Sequence, residues 1–218
     1  MVMVLPDSLT PATDHAATLD DLLRRRRTIR RLGDGPLPDG ALERIAAAAH
    51  RVPAAYGRPA WHVVVVRETR AAFWDAVETA FRERLEADRL ARYLDRLDGF
   101  RSGAGAVLVY EDRRASDGAR TANGLSSAQA TAFAQQGLGM VQFALWLALV
   151  AEGLASSLQH WEWLVEDRLA DLLGVPADRY RLVATMPFGY AAEDPRPPAA
   201  PDPVVSLERF AAPFAPDA

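Results

Sequence analysis

The segment AQATAFAQQGLGMVQFALWLALVAEG, Ala128 to Gly153, constrains this chain more than any other. Ser126 or Ser127 offers an N-cap, and no proline interrupts the stretch beyond it, so the spacing predicts one long helix. Its second half is apolar almost all the way round, which calls for burial on every side. Gln135, Gln136 and Gln142 break the apolar run before it reaches the roughly 18 residues of a bilayer span. A core or subunit-interface helix is therefore expected, not a membrane segment. A chain of 218 residues has little mass with which to surround such a helix, so a dimer is the economical solution.

The strands are few. WHVVVV (Trp61 to Val66) is a β-branched run, AVLVYE (Ala106 to Glu111) a second, ASSLQ a short extended piece and YRLVATMPFG a last strand. Helices are expected from Thr18 through the arginine cluster beyond it, from Asp39 as cap to about His50, from about Thr69 to Leu97, and from Glu162 to Leu173. The second of these places Leu42, Ile45, Ala46 and Ala49 on one face. GDGPLPDG reads as a loop, and so does DRRASDGARTANGLS. Strands separated by helices without regular βαβ units indicate α+β with one central sheet. Residues 1–17 are expected to form a flexible lead-in, residues 18–193 a single domain, and residues 194–218 a proline-rich extension.

Composition excludes several chemistries. Without cysteine there is no disulfide, thiolate nucleophile or Cys-ligated metal. His15, His50, His62 and His160 are scattered with no HExxH-type pair, so no metal site is expected. All 25 basic residues are arginine, which rules out a Schiff-base or P-loop lysine and leaves phosphate recognition to arginine, hydroxyls and backbone. The formal charge of −4 provides no global attraction for nucleic acid or anionic membrane. The N-terminal residues lack the pattern of a secretory signal, so a cytoplasmic protein is expected.

Against that acidic background, LLRRRRTIRRLG (Leu22 to Gly33) packs six arginines into eight residues. Arg24, Arg25, Arg27 and Arg31 suit a solvated helix face, and nothing downstream extends the cluster into a nucleic-acid surface. Arg26 differs. It continues the stripe Leu19, Leu22, Leu23 toward Ile29, where a buried guanidinium would need an anion. Arginine's planar fork matches phosphate, and Thr28 could add a donor. Neither Gly103–Gly105 nor Gly137–Gly139 completes a dinucleotide fingerprint.

In order and spacing, LLRRRRTIRRL, GPLPDGALERIAAAAHRVPAAYGRPAWHVVVV and EGLASSLQHW…YRLVATMPFG resemble the nitroreductase family of FMN enzymes, nearest its fatty-acid-repression-mutant-like subgroup. The resemblance spans about Leu19 to Phe210. It implies an α+β homodimer with a mixed sheet, a long interface helix and FMN bound between subunits. NAD(P)H would donate electrons that pass by a ping-pong cycle to a nitroaromatic, quinone or related small molecule. It further implies that Arg26, Arg27, Thr28, Arg30 and Arg209 contact the cofactor's phosphate or polar ring edge. Leu158, Gln159 and His160 would lie along the ring, chiefly through backbone. The flavin carries the chemistry, so no catalytic side chain is implied.

The family's PSxxNxQPW segment is here PAAYGRPAW, with Ala54, Gly57 and Pro59 in place of Ser, Asn and Gln. Gly57 thus marks a rewritten flavin edge, and Tyr56, Trp161 and Trp163 are candidates for a substrate pocket. Two other readings arise from the residues: a specialised biosynthetic or flavin-modifying enzyme on the same fold, and an arginine-armed nucleic-acid binder.

Overall fold

The computed structural model describes residues 13–195. Pairing is built on the β-branched runs. β2 (Trp61–Val66) is antiparallel to β3 (Gly105–Asp112), with Val64 opposite Leu108, and β3 is antiparallel to β5 (Tyr180–Ala191). Two short strands share the far edge of β5. β4 (Ala155–Ser156) lies opposite Gly189 and Phe188, and β1 (Leu32–Gly33) opposite Ala191 and Tyr190. Every ladder among the described residues is antiparallel; the parallel component expected of a mixed sheet is one isolated bridge, Thr28 to Ser156.

Side-chain alternation along β3 divides the interior in two. Ala106, Leu108 and Tyr110 face a core under α3 (Arg70–Arg84), α4 (Ala87–Arg101) and α7 (Glu162–Leu173). Val107 and Val109 face a second core under α2 (Ala41–His50) and α6 (Ser127–Ala151). On β5 the alternation slips. Leu182 joins the first core, whereas Ala184, Met186 and Phe188, at even steps from it, join the second. The cause is a bulge: Val109 pairs with Ala184 and Tyr110 with Leu182, leaving Val183 without a partner. One extra residue reverses the facing of everything beyond it.

α6 begins with a capping box in which Ser126 and Gln129 satisfy each other's backbone N–H. Its buried residues, including Leu138, Val141, Gln142, Leu145, Trp146 and Leu149, recur at three- and four-residue steps and form one face. The helix is long and apolar enough to cross a membrane, and half of its most apolar window is buried inside the protein. Its other face is open. Met140 is 42% exposed and Phe143 45%. With Ala144, Leu147, Ala48, Val52 and Pro53 they line an apolar groove of about 470 Å³ between α6 and α2. Burial on every side is thus not achieved within one chain.

Several boundaries differ from expectation. α1 (Thr13–Arg25) starts five residues before Thr18, so the lead-in is helical from Thr13, and residues 1–12 lie outside the described residues. It stops at Arg25 instead of running through the cluster, because Ile29 and Leu32 are drawn into the sheet's core. The helical stretch from Thr69 is two helices, broken where Leu85 and Glu86 turn extended. The cap of α2 is Gly40 in a left-handed conformation (φ 69°), not Asp39. Most notably, the polar loop is α5 (Arg113–Ala122). Its start is fixed by Asp112, whose Oδ1 accepts from the N–H groups of Arg114 (3.0 Å) and Ala115 (3.3 Å).

Asp112 also receives the guanidinium of Arg179 at 2.6 Å, in a largely buried position. That hydrogen bond, with help from the two N–H groups and against burial, holds its carboxyl below the ordinary range. A folded-state value below the unfolded one contributes stability that is present above the unfolded carboxylate range and lost as pH falls through the depressed value. Asp112→Ala should therefore cost about 1–2 kcal/mol at neutral pH from the lost cap alone. Urea denaturation should show the gap between wild type and variant closing as the medium is acidified.

Candidate functional site

The chain leaves α1 with one last helical bond, Arg26 N–H to Leu22 C=O at 2.9 Å, and then becomes extended. The β-branched pair Thr28–Ile29 favours that change. Thr28 bridges Ser156, and Ile29 N–H donates to Ser156 C=O at 3.1 Å. The backbone N–H groups of Arg30 and Arg31 donate to Glu193 Oε1 (2.6 and 3.1 Å), and the Arg31 guanidinium is bound to Asp95. Below this segment Gly99 of α4 meets the Arg30 carbonyl so closely that a Cβ would lie 2.2 Å from that oxygen. The arginine segment is thereby clamped between sheet edge and helix.

Its side chains divide by surroundings. Arg24 and Arg25 pair with Asp20 and Asp21 one turn back, an exposed arrangement. Arg26 is half-buried, and its guanidinium carbon stands 4.6 Å from the centroid of the Trp146 ring on α6. Among the described residues it has no carboxylate partner. The stripe that singled it out is not a buried one: Leu19 is 52% and Leu23 42% exposed, and only Leu22 packs on the second core. What receives Arg26 is an aromatic face, with the edge of the guanidinium left for an anion. Arg27 is half-buried, Thr28 exposed, and Arg30 holds a buried Nε without a hydrogen-bond partner.

Beyond Ser156 the same edge continues into Leu158, Gln159 and His160. Gln159 exchanges backbone hydrogen bonds with Thr185 (2.9 and 3.0 Å), and its Nε2 donates to Ser157 Oγ at 2.7 Å. The β5 bulge frees two groups, and both are taken. Leu182 N–H donates to Glu166 Oε1 at 2.8 Å, and Val183 C=O lies 3.1 Å from His160 Nδ1. A carbonyl only accepts, so Nδ1 carries the proton and exposed Nε2 is left as an acceptor. The His160 backbone N–H makes no hydrogen bond among the described residues.

One edge thus brings Arg26, Arg27, Thr28 and Arg30 together with Leu158, Gln159 and His160. Other candidates lie apart. Tyr56 and Gly57 occupy a 3-10 turn, both with positive φ (55° and 67°), and Tyr56 sets its ring edge-on against Phe133 at 6.1 Å. Phe133 and Trp146 are 13 residues apart on α6, about 20 Å along its axis. Trp161 is corrected from pocket to core: it is 3% exposed and packs edge-to-face on Phe81 and Phe100. Trp163 stays on the surface, under the guanidinium of Arg89. Arg209 lies outside the described residues. Sequence reasoning missed Trp146, hidden in an apolar run where periodicity gives no facing, and Glu193, whose role depends on tertiary contact.

An antiparallel sheet between two helical layers, with an arginine-bearing edge and a long, half-covered helix, defines a class of α+β protein. The chain belongs to the nitroreductase family, whose sequence profile matches residues 23–190. Among solved structures it is similar to nitroreductase CinD from Lactococcus lactis in complex with chloramphenicol. There the TM-score is 0.74 at 22% identity, over 84% of this chain and 95% of that one. The FMN-dependent nitroreductase NfnB from Mycobacterium smegmatis in complex with NADPH aligns with TM-score 0.66 and 19% identity, over 82% and 90%. A BluB-like flavoprotein from Clostridium difficile 630 aligns with TM-score 0.63 and 17% identity, over 85% and 95%. Among curated proteins none matches significantly.

Gly99→Ala should force the Arg30 carbonyl away, at about 1–3 kcal/mol for overpacking against backbone. Thermal denaturation reads the loss. Hydrogen exchange at the Ile29 amide should lose protection more than amides in β3 do.

Proposed function

We propose that this protein is an FMN-dependent oxidoreductase that passes electrons from NAD(P)H to a small-molecule acceptor of the nitroaromatic or quinone kind. The observation that carries the reading is the edge around Ser156. It sets an arginine with no carboxylate partner beside an extended segment whose His160 N–H is unused. Family membership supports the same conclusion. The donor set fits the cofactor: guanidinium and hydroxyl for a phosphate, free backbone N–H for a ring edge.

FMN, when bound, would supply the hydride and electron chemistry. The chain's own residues bind and orient. Arg26, Arg27 and Thr28 would hold the phosphate, with Arg209 joining from the C-terminal extension. Arg30 fixes the segment through its backbone. Leu158, Gln159 and His160 would present backbone along the ring, where the bulge carbonyl of Val183 keeps the imidazole from turning. No acid–base side-chain pair is required.

The second flavin edge, at Gly57, would come from another copy of the chain. Within one chain it contacts the opposite half of α6, about 20 Å away. The open groove bearing Met140 and Phe143 is the surface that would bring the copies together, giving a homodimer. Gly57 offers no side chain and has open space around it. That bareness favours a specialised biosynthetic or flavin-modifying enzyme as the second reading. Release of an altered flavin, with no acceptor-dependent NAD(P)H consumption, would support it over the first.

The purified full chain should show flavin absorption or acquire it on adding FMN. A colourless protein that fails to bind FMN overturns the proposal. Phe143→Glu should shift the chain from dimer to monomer in sedimentation, and weaken FMN binding along with it.

A further inference from the structure

We infer that Trp146 is the positioning residue for Arg26, an aromatic platform that makes the phosphate clamp selective for phosphorylated flavin. This rests on Arg26 being part of a phosphate clamp. Trp146 is 8% exposed, and it is the one aromatic side chain among the buried residues of α6. Its Nε1 is buried with no hydrogen-bond partner among the described residues. Leucine or phenylalanine would fill the site without stranding an N–H, so hydrogen bonding does not account for an indole here. Its π face does have a partner, the Arg26 guanidinium carbon at 4.6 Å from the centroid.

Stacking covers one face of the guanidinium and leaves its in-plane N–H donors free, and that edge is the one that reaches phosphate oxygens bidentately. A carboxylate partner would hold the arginine equally well but occupy those donors. Indole fixes the side chain without competing for its hydrogen bonds. It also removes rotamer freedom before the anion arrives, so less is lost on binding. The platform stands where it should, because Leu22, which precedes the cluster, and Leu158, which begins the ring-side segment, pack against the core that contains Trp146.

The test titrates the full chain with FMN and with riboflavin, which lacks the phosphate. Wild type should prefer FMN. Arg26→Met should lower FMN affinity by about 10- to 100-fold and leave riboflavin affinity within about twofold. Trp146→Leu should lower FMN affinity by about 3- to 30-fold, again sparing riboflavin, and Trp146→Phe should restore part of it. In the Arg26→Met background, Trp146→Leu should add nothing. Equal losses for both flavins in the tryptophan variants would show a merely structural role and overturn the inference. So would an unchanged FMN preference in Trp146→Leu alongside a lost one in Arg26→Met, which leaves the clamp reading intact. If Arg26→Met leaves the preference intact, the clamp reading fails and the platform with it.

Discussion

Ser156 is the joint on which the candidate site depends. Fully buried, it pairs with Phe188 of β5 on one side and Thr28 on the other, and its hydroxyl donates to Pro187 C=O at 2.8 Å. Its own carbonyl takes the Ile29 N–H. Four contacts through one small residue tie the arginine segment to the longest strand and set Leu158–His160 on the same edge. A larger side chain there would meet fully packed surroundings, and one without a hydroxyl would lose the Pro187 contact. The site is an extension of the sheet's hydrogen bonding, not a loop appended to it.

Where local signals agree with tertiary demand, the sequence was readable. The run of four valines fixed β2 to the residue, since it fits a strand better than any alternative of that length, and Gly174 ended α7 in the left-handed conformation expected of it. The capping box at Ser126 likewise announced α6. Failures came where a single side chain or a distant contact decided. Polar, arginine-rich residues 113–122 look like loop until Asp112 is seen capping them, and Asp112 is held for that purpose by Arg179, 67 residues on. α1 ended early because Ile29 and Leu32 gain more from the sheet core than from another helical turn.

The site was legible in part, and for a related reason. Arg26 stood out because it fell on an apolar stripe, yet that stripe is largely exposed in one chain. The arginine's actual companion was a tryptophan 120 residues away. Helical periodicity assigns facing only when polar residues mark the opposite side. In ALWLALV no polar residue does so, and the platform role of Trp146 was invisible. Trp161 was the converse case: an aromatic beside candidate residues in sequence, but directed by the start of α7 into the core.

The open face of α6 has its origin in the same composition. Residues at 134, 138, 141, 145 and 149 satisfy the protein's own core, and a helix has about 3.6 residues per turn, so Met140 and Phe143 must point away. Making them polar would suit a monomer. Their being apolar suits a second surface, and the two proposed flavin edges, carried at opposite halves of this helix, give that surface a purpose. If two copies pack their α6 helices in antiparallel fashion, the Phe133 half of one is laid beside the Trp146 half of the other. The separation that prevents one chain from enclosing a flavin is then the separation that lets two chains enclose two. The apolar face and the divided site are in that case one constraint, and neither would be favourable without the other.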